Sequence, residues 1–142
     1  MPVRKADATW EGDLKSGRGT MRLAGGAYEG AYSFSSRFEE GTGTNPEELI
    51  AAAHAGCYSM ALSNILAQAG HTPERVHTTA NVRLEKTDAG FGVTSIHLVT
   101  EASVPGLDDA GFQKHAEDAK QNCPISKLLK AAEITLDAKL AG

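Results

Sequence analysis

The sequence predicts an α+β fold, and three observations carry that expectation. Short alternating segments separated by glycine-rich turns fill the first part of the chain. An uncharged, alanine-rich run then opens behind a strong helix start at Asn45, and strand-like patterns return after it and again at the close. Strands gathered at both ends around helices differ from the regular strand–helix alternation of a parallel α/β protein. At 142 residues the chain has the length of a single domain, 1–142, with enough residues to bury a core.

Residues 8–11, 19–23 and 31–34 read as short strands, with Gly12, Gly17, Gly19, Gly25, Gly26 and Gly30 marking tight connections between them. The loop 39–44 leads into a helix. Asn45 suits the N-cap, Pro46 the first helical position, and Glu48 stands where it closes a capping box. The helix is expected to run to Ala69, where Gly70 and Pro73 stop it. Its small residues (Ala51, Ala52, Ala53, Ala55, Gly56, Ala61) let other backbones approach on several sides, which describes a central helix and a contact surface. Residues 75–85 and 91–104 read as two strands joined by the turn 86–90, because Val82 and Leu84 alternate with Asn81, Arg83 and Glu85. Pro105-Gly106 breaks the pattern. A helix over 108–122 follows, Cys123-Pro124 separates it from a shorter helix over 125–130, and residues 134–140 close the chain as a strand.

Composition excludes several classes. Charged residues make up 23%, hydrophobic residues 41%, and the net charge is −4. Without a Lys/Arg cluster there is no electrostatic footprint for nucleic acid. The run 49–73 holds no Asp, Glu, Lys or Arg, but His54, Ser59, Ser63, Asn64, Gln68 and His71 interrupt it. A spanning helix wants about 20 predominantly apolar residues, so a helix buried inside protein, with no membrane, is the expectation. The opening residues are charged and lack the apolar stretch of a secretory signal, which points to the cytoplasm. In that compartment cysteines serve as buried filler, metal ligands or redox groups.

There are two cysteines. Cys57 is expected mid-helix, away from the helix N-terminus that lowers the pKa of many reactive thiols, so a reactive Cys57 needs a cation beside it. Arg37, set between Phe34 and Phe38 just before the helix-entry loop, is the candidate, although a surface arginine flanked by core aromatics reads equally simply. Glu47 and Glu48 open the helix, as acidic residues often do. Helical geometry turns Glu48 about 180° from Cys57, and puts Glu47 about 80° away and roughly 15 Å along the axis. Glu47 is thus too far to touch Cys57 on a straight helix; it suits holding a bridging arginine, or serving the cysteine of a second subunit. Cys123 precedes Pro124 at the start of a new helix, where helix-terminal N–H groups ease ionisation. Spacing alone leaves the two thiols open between inert burial and disulfide chemistry. His54, three residues before Cys57, could begin a metal site, but the remaining His residues show no ligand spacing, and a hydrogen-bonded core histidine fits better. No phosphate-binding glycine loop is present.

Four segments resemble a known family: Trp10-Glu11-Gly12-Asp13-Leu14-Lys15, Gly43-Thr44-Asn45-Pro46-Glu47-Glu48-Leu49, Ala52-Ala53-His54-Ala55-Gly56-Cys57 and Asn122-Cys123-Pro124-Ile125-Ser126. They are similar to the osmotically inducible protein C (OsmC) family of thiol peroxidases, related to the organic hydroperoxide resistance (Ohr) proteins, with the opening segment closer to the OsmC branch. The resemblance implies an OsmC-like fold, with antiparallel sheets wrapped around a long central helix, and an intertwined homodimer with its sites at the subunit interface. It implies a peroxiredoxin-type, thiol-dependent peroxidase of the stress response, acting on organic hydroperoxides and more weakly on hydrogen peroxide, and reset by an external dithiol. By position Cys57 matches the peroxidatic cysteine, Cys123 the resolving one, and Arg37 and Glu47 the pair that poises the thiolate, with no metal or other cofactor. The alternative is a redox-sensing or ligand-binding protein that uses the same thiols without turnover.

Overall fold

The computed structural model describes residues 1–141. In chain order the elements are β1 (Ala6–Glu11), β2 (Arg18–Leu23), β3 (Glu29–Tyr32), α1 (Phe34–Phe38), α2 (Pro46–Gln68), β4 (Arg75–Thr87), β5 (Gly90–Ser103), α3 (Asp109–Asn122), α4 (Pro124–Leu128) and β6 (Glu133–Leu140). The α+β class is the observed one. Contacts divide the chain into two compact units, Met1–Leu49 and the part from Ile50 onward.

In the first unit β1, β2 and β3 form an antiparallel meander. Trp10 and Tyr32 flank Gly19 in the register and bring their rings to 5.3 Å between centroids. A Cβ on Gly19 would stand 2.6 Å from the Trp10 ring and 2.5 Å from that of Tyr32, so the glycine is required for the two aromatics to close over the strand. The expected third strand, 31–34, stops at Tyr32. Ser33 turns the chain instead, as the N-cap of α1: it accepts from the Ser36 N–H at 3.1 Å, while the Ser36 hydroxyl accepts from the Ser33 N–H at 2.8 Å. A local cap thus overrode the strand pattern and created a short helix with Arg37 in its last turn.

Helix α2 begins as its sequence demands. Asn45 Oδ1 accepts the Glu48 N–H at 2.8 Å, and Pro46 takes the first position. The Glu48 carboxylate does not close the expected capping box. It accepts the Thr44 hydroxyl at 2.7 Å, because that donor, one residue before the cap, is nearer to hand. At the other end Gly70, at φ +88°, allows the His71 N–H to reach Leu66 O and the Gly70 N–H to reach Ala67 O, a Schellman stop.

In the second unit β4, β5 and β6 form one sheet. The β4–β5 hairpin is antiparallel and turns through Asp88 and Ala89. The β5–β6 pair is parallel, which corrects the expectation of wholly antiparallel sheets. The connection from β5 through α3 and α4 reverses the chain before β6 starts, and such a crossover is what a parallel pair needs. The core joins one face of α2 (Tyr58, Leu62, Leu66) to Ile96 and Leu98 of β5 and Phe112, Ala116 and Ala119 of α3. Each large side chain buried this way stabilises the unit by about 1.5–3 kcal/mol. Tyr58 satisfies its hydroxyl on Ala116 O at 3.0 Å. A second polar tie runs from Ser59 to Thr78 (2.8 Å) and on to Thr100 (3.0 Å), fixing α2 over the sheet.

The expectation of a helix buried inside protein is met on one face of α2 in the single chain. His54, Tyr58, Leu62 and Leu66 are buried, whereas Ala52, Ala53, Gly56, Met60 and Asn64 are exposed in the single chain. By length and composition alone α2 also meets the requirement for a membrane span.

Candidate functional site

Arg37 and Glu47 meet in the first unit. Helix α1 presents the guanidinium from its last turn and α2 presents the carboxylate from its first. Nε and Nη2 of Arg37 donate to Oε1 and Oε2 of Glu47, each at 3.0 Å, a bidentate fork. Glu47 is nearly buried, and the guanidinium carbon lies 5.3 Å from the centre of the Phe38 ring. Of the two roles open to Glu47, holding the arginine is therefore the one displayed. Arg37 also lines a cavity of 220 Å³ with Trp10, Leu14, Tyr32, Phe34 and Phe38. Sequence reasoning did not find this aromatic lining, because it depends on β1, β3 and α1 folding together; the two Phe residues flanking Arg37 were its visible trace.

Cys57 and Cys123 meet in the second unit, both as free thiols. Cys57 is half-buried and Cys123 fully buried. Cys123 caps α4: its Sγ accepts the Ser126 N–H at 3.3 Å. Burial pushes the Cys57 thiol above its ordinary range. The backbone at Ile125 pulls it back, and the neighbouring Cys123 thiol pushes it up again. As expected, Cys57 stands in the middle of α2, away from that helix's N-terminus, while in the first turn of α4 the Ser126 N–H serves the Cys123 sulfur.

His54 is fully buried, and its Nε2 hydrogen-bonds the Ser126 hydroxyl at 2.7 Å. That contact replaces the metal reading of His54 and Cys57, and among the described residues no group of three or more His, Cys, Asp or Glu converges on a common point. Ser126 was not singled out from the sequence; its position three residues after Cys123, at the third position of a helix opened by Pro124, was the available signal. Burial holds the His54 imidazole pKa below its ordinary value. As pH falls, the unfolded chain takes up this proton before the folded one does, so the neutral ring's contribution is complete above about pH 6.5 and is lost below it. Urea midpoints between pH 7.5 and 5.5 are expected to fall, and His54→Gln should flatten the fall by at most about 1.4 kcal/mol per pH unit. An identical slope in the variant would contradict this assignment.

A small α+β protein with a paired dithiol and a separate arginine–glutamate fork is the class that this fold and these sites define. The comparisons narrow it. The OsmC-like protein family matches residues 39–139. Peroxiredoxin OsmC of Escherichia coli K12 is 52% identical over 138 residues, covering 96% of each chain. The organic hydroperoxide resistance protein of Xanthomonas axonopodis pv. citri is 34% identical over 98 residues, 68% of this chain and 67% of that one. Among solved structures, an OsmC-like protein of unknown function from Vibrio cholerae superposes with a TM-score of 0.77 at 21% identity, covering 97% of this chain and 99% of the other. OhrB of Bacillus subtilis gives 0.70 at 23%, covering 96% and 98%. This chain belongs to the OsmC family, and the fuller match to the OsmC relative agrees with the branch favoured from the opening segment.

Proposed function

We propose that this chain is a cysteine-based peroxidase that reduces organic hydroperoxides, with Cys57 as the peroxidatic and Cys123 as the resolving cysteine. The observation that carries the reading is the pairing of two free thiols beside the first turn of α4, whose Ser126 N–H is given to the Cys123 sulfur. The names of the relatives, a peroxiredoxin and hydroperoxide resistance proteins, support it. In this reading the chain acts as a single domain, 1–142, within a cytoplasmic homodimer, and the exposed small-residue face of α2 supports such an association. The Arg37–Glu47 fork, from the same chain or its partner, supplies the cation that holds Cys57 as thiolate.

The Cys57 thiolate attacks the terminal peroxide oxygen along the O–O axis. The S–O bond forms as the O–O bond breaks, two electrons pass from sulfur to the peroxide, and the leaving alkoxide takes up a proton to give the alcohol. Cys57 is left as sulfenic acid. Cys123 sulfur then attacks the Cys57 sulfur; the S–S bond forms, the S–O bond breaks, and hydroxide leaves with the Cys123 proton as water. An external dithiol reopens the disulfide by exchange. The apolar cavity shared with Arg37 suits the organic group of a hydroperoxide better than hydrogen peroxide.

Stopped-flow oxidation by cumene hydroperoxide, with thiol counting, tests the reading. The expected result is loss of both thiols in the first turnover and continuous peroxide consumption once a dithiol is supplied. One stoichiometric oxidation without cycling would instead indicate a redox sensor. Cys123→Ser should keep the first oxidation and lose multiple turnover; unchanged cycling would remove it as the resolving residue.

A further inference from the structure

We propose that His54 and Ser126 form a positioning clamp that holds the two thiol-bearing helical turns in register and so sets the rate of Cys57–Cys123 disulfide closure. The inference rests on the assignment of these cysteines as the redox pair and adds two residues to their chemistry.

The clamp is symmetric about the thiols in sequence. His54 lies three residues before Cys57 on α2, and Ser126 lies three residues after Cys123 on α4. Their 2.7 Å hydrogen bond therefore joins the turn that carries one sulfur to the turn that carries the other. Ser126 works on both sides of its backbone. Its hydroxyl meets His54 while its N–H is given to Cys123 Sγ. Moving the Ser126 side chain thus shifts the N–H donor to Cys123 and the Cys123 sulfur together.

Stability does not explain the histidine. The ring is fully buried, yet its second nitrogen, Nδ1, has no hydrogen-bond partner among the described residues. An apolar side chain of similar volume would occupy the site without an orphaned polar atom, and replacing both members of a buried polar pair by apolar groups is often neutral or stabilising. What the imidazole supplies and an apolar residue cannot is the directional bond to α4. That helix is five residues long and exposes Leu128, so it has little packing area to fix its position alone. Closure needs Cys123 sulfur in line with the S–O bond of the Cys57 sulfenic acid, and a displacement of about 1 Å from such a geometry can slow a reaction roughly a hundredfold.

The test uses the full chain as Ser126→Ala, Ser126→Thr and the paired His54→Leu/Ser126→Ala variant. Each is oxidised with diamide, which takes two electrons and two protons from the thiol pair and becomes the hydrazine, and closure is followed by intact mass. Ser126→Ala should slow closure roughly ten- to hundredfold, and Ser126→Thr, which keeps the hydroxyl, should restore it. The paired variant should melt at the wild-type temperature or above and still close slowly, a separation that a merely structural role does not produce. Under excess cumene hydroperoxide the slow variants should accumulate Cys57 sulfinic acid, because the sulfenic acid outlives the slowed attack of Cys123. Closure at the wild-type rate in Ser126→Ala, or a wild-type chain that does not close with diamide, overturns the clamp. If the paired variant does not fold, the contrast between Ser126→Ala and Ser126→Thr decides. A wild-type chain that closes with diamide but ignores peroxide defeats the peroxidase reading, while the variants' diamide rates still judge the clamp.

Discussion

Cys57→Ser is expected to reduce peroxide consumption to the background rate of the dithiol alone. A serine hydroxyl remains protonated at neutral pH, and its oxygen cannot accept an oxygen atom from a peroxide as sulfur does, so the first chemical step has no substitute. Cys123 cannot take over, because its side chain is fully buried. The fold should survive the change. Cys57 is half-buried, and imperfect burial of a hydroxyl costs about 1–3 kcal/mol. The measurement is residual cumene hydroperoxide over time at fixed dithiol, with circular dichroism on the same sample. A folded variant that consumes peroxide at the wild-type rate would sink the assignment of Cys57 and the reaction built on it.

Arg37→Met should give the second-largest effect, and its signature lies in the pH profile. Burial and the neighbouring Cys123 thiol both push the Cys57 thiol up, and the backbone at Ile125 opposes them. A positive charge close by is the physical means of bringing such a thiol into its reactive form at neutral pH. On the proposed reading Arg37 is that charge, and losing an opposite charge within about 4–6 Å raises an acid's pKa by about 1–3 units, so oxidation at pH 7 should slow roughly 10- to 1000-fold and recover as the pH is raised. Arg37→Lys should fall between, since an ammonium keeps the charge but cannot reproduce the two-pronged bond to Glu47. Second-order rates of oxidation from pH 5 to 10 would decide; an unshifted profile removes Arg37 from the reacting centre.

Much of this arrangement was legible in the sequence wherever one short segment decided it. Asn45-Pro46 announced the start of α2, Gly70 its end, and Cys123-Pro124 the cap of α4 with an N–H aimed at its sulfur. The fork between Arg37 and Glu47 was within reach because helix geometry alone separated Glu47 from Cys57. What escaped depended on elements distant in sequence. No local pattern says that β6 pairs parallel to β5, since direction follows from the path of α3 and α4 between them. No local pattern says that His54 finds Ser126, because α4 must first dock on α2. The strand assigned to 31–34 failed for the opposite reason. Alternation in Ala31-Tyr32-Ser33-Phe34 is genuine, but a two-serine cap is stronger over so short a stretch.

The parallel pairing of β5 with β6 has a consequence for assembly. An antiparallel hairpin such as β4–β5 needs only a tight turn, whereas β6 reaches its place after the whole α3–α4 crossover has been laid down. Contacts that distant in sequence are made slowly. Cys123, Ile125 and Ser126 all lie within that crossover, while Cys57 comes 66 positions before Cys123. During synthesis Cys57 is thus produced well ahead of Cys123, the resolving partner that the proposed reading gives it. On that reading a chain that has not yet laid down the crossover holds a sulfur with no partner to close a disulfide, so the order of synthesis also sets when Cys57 gains its protection from over-oxidation.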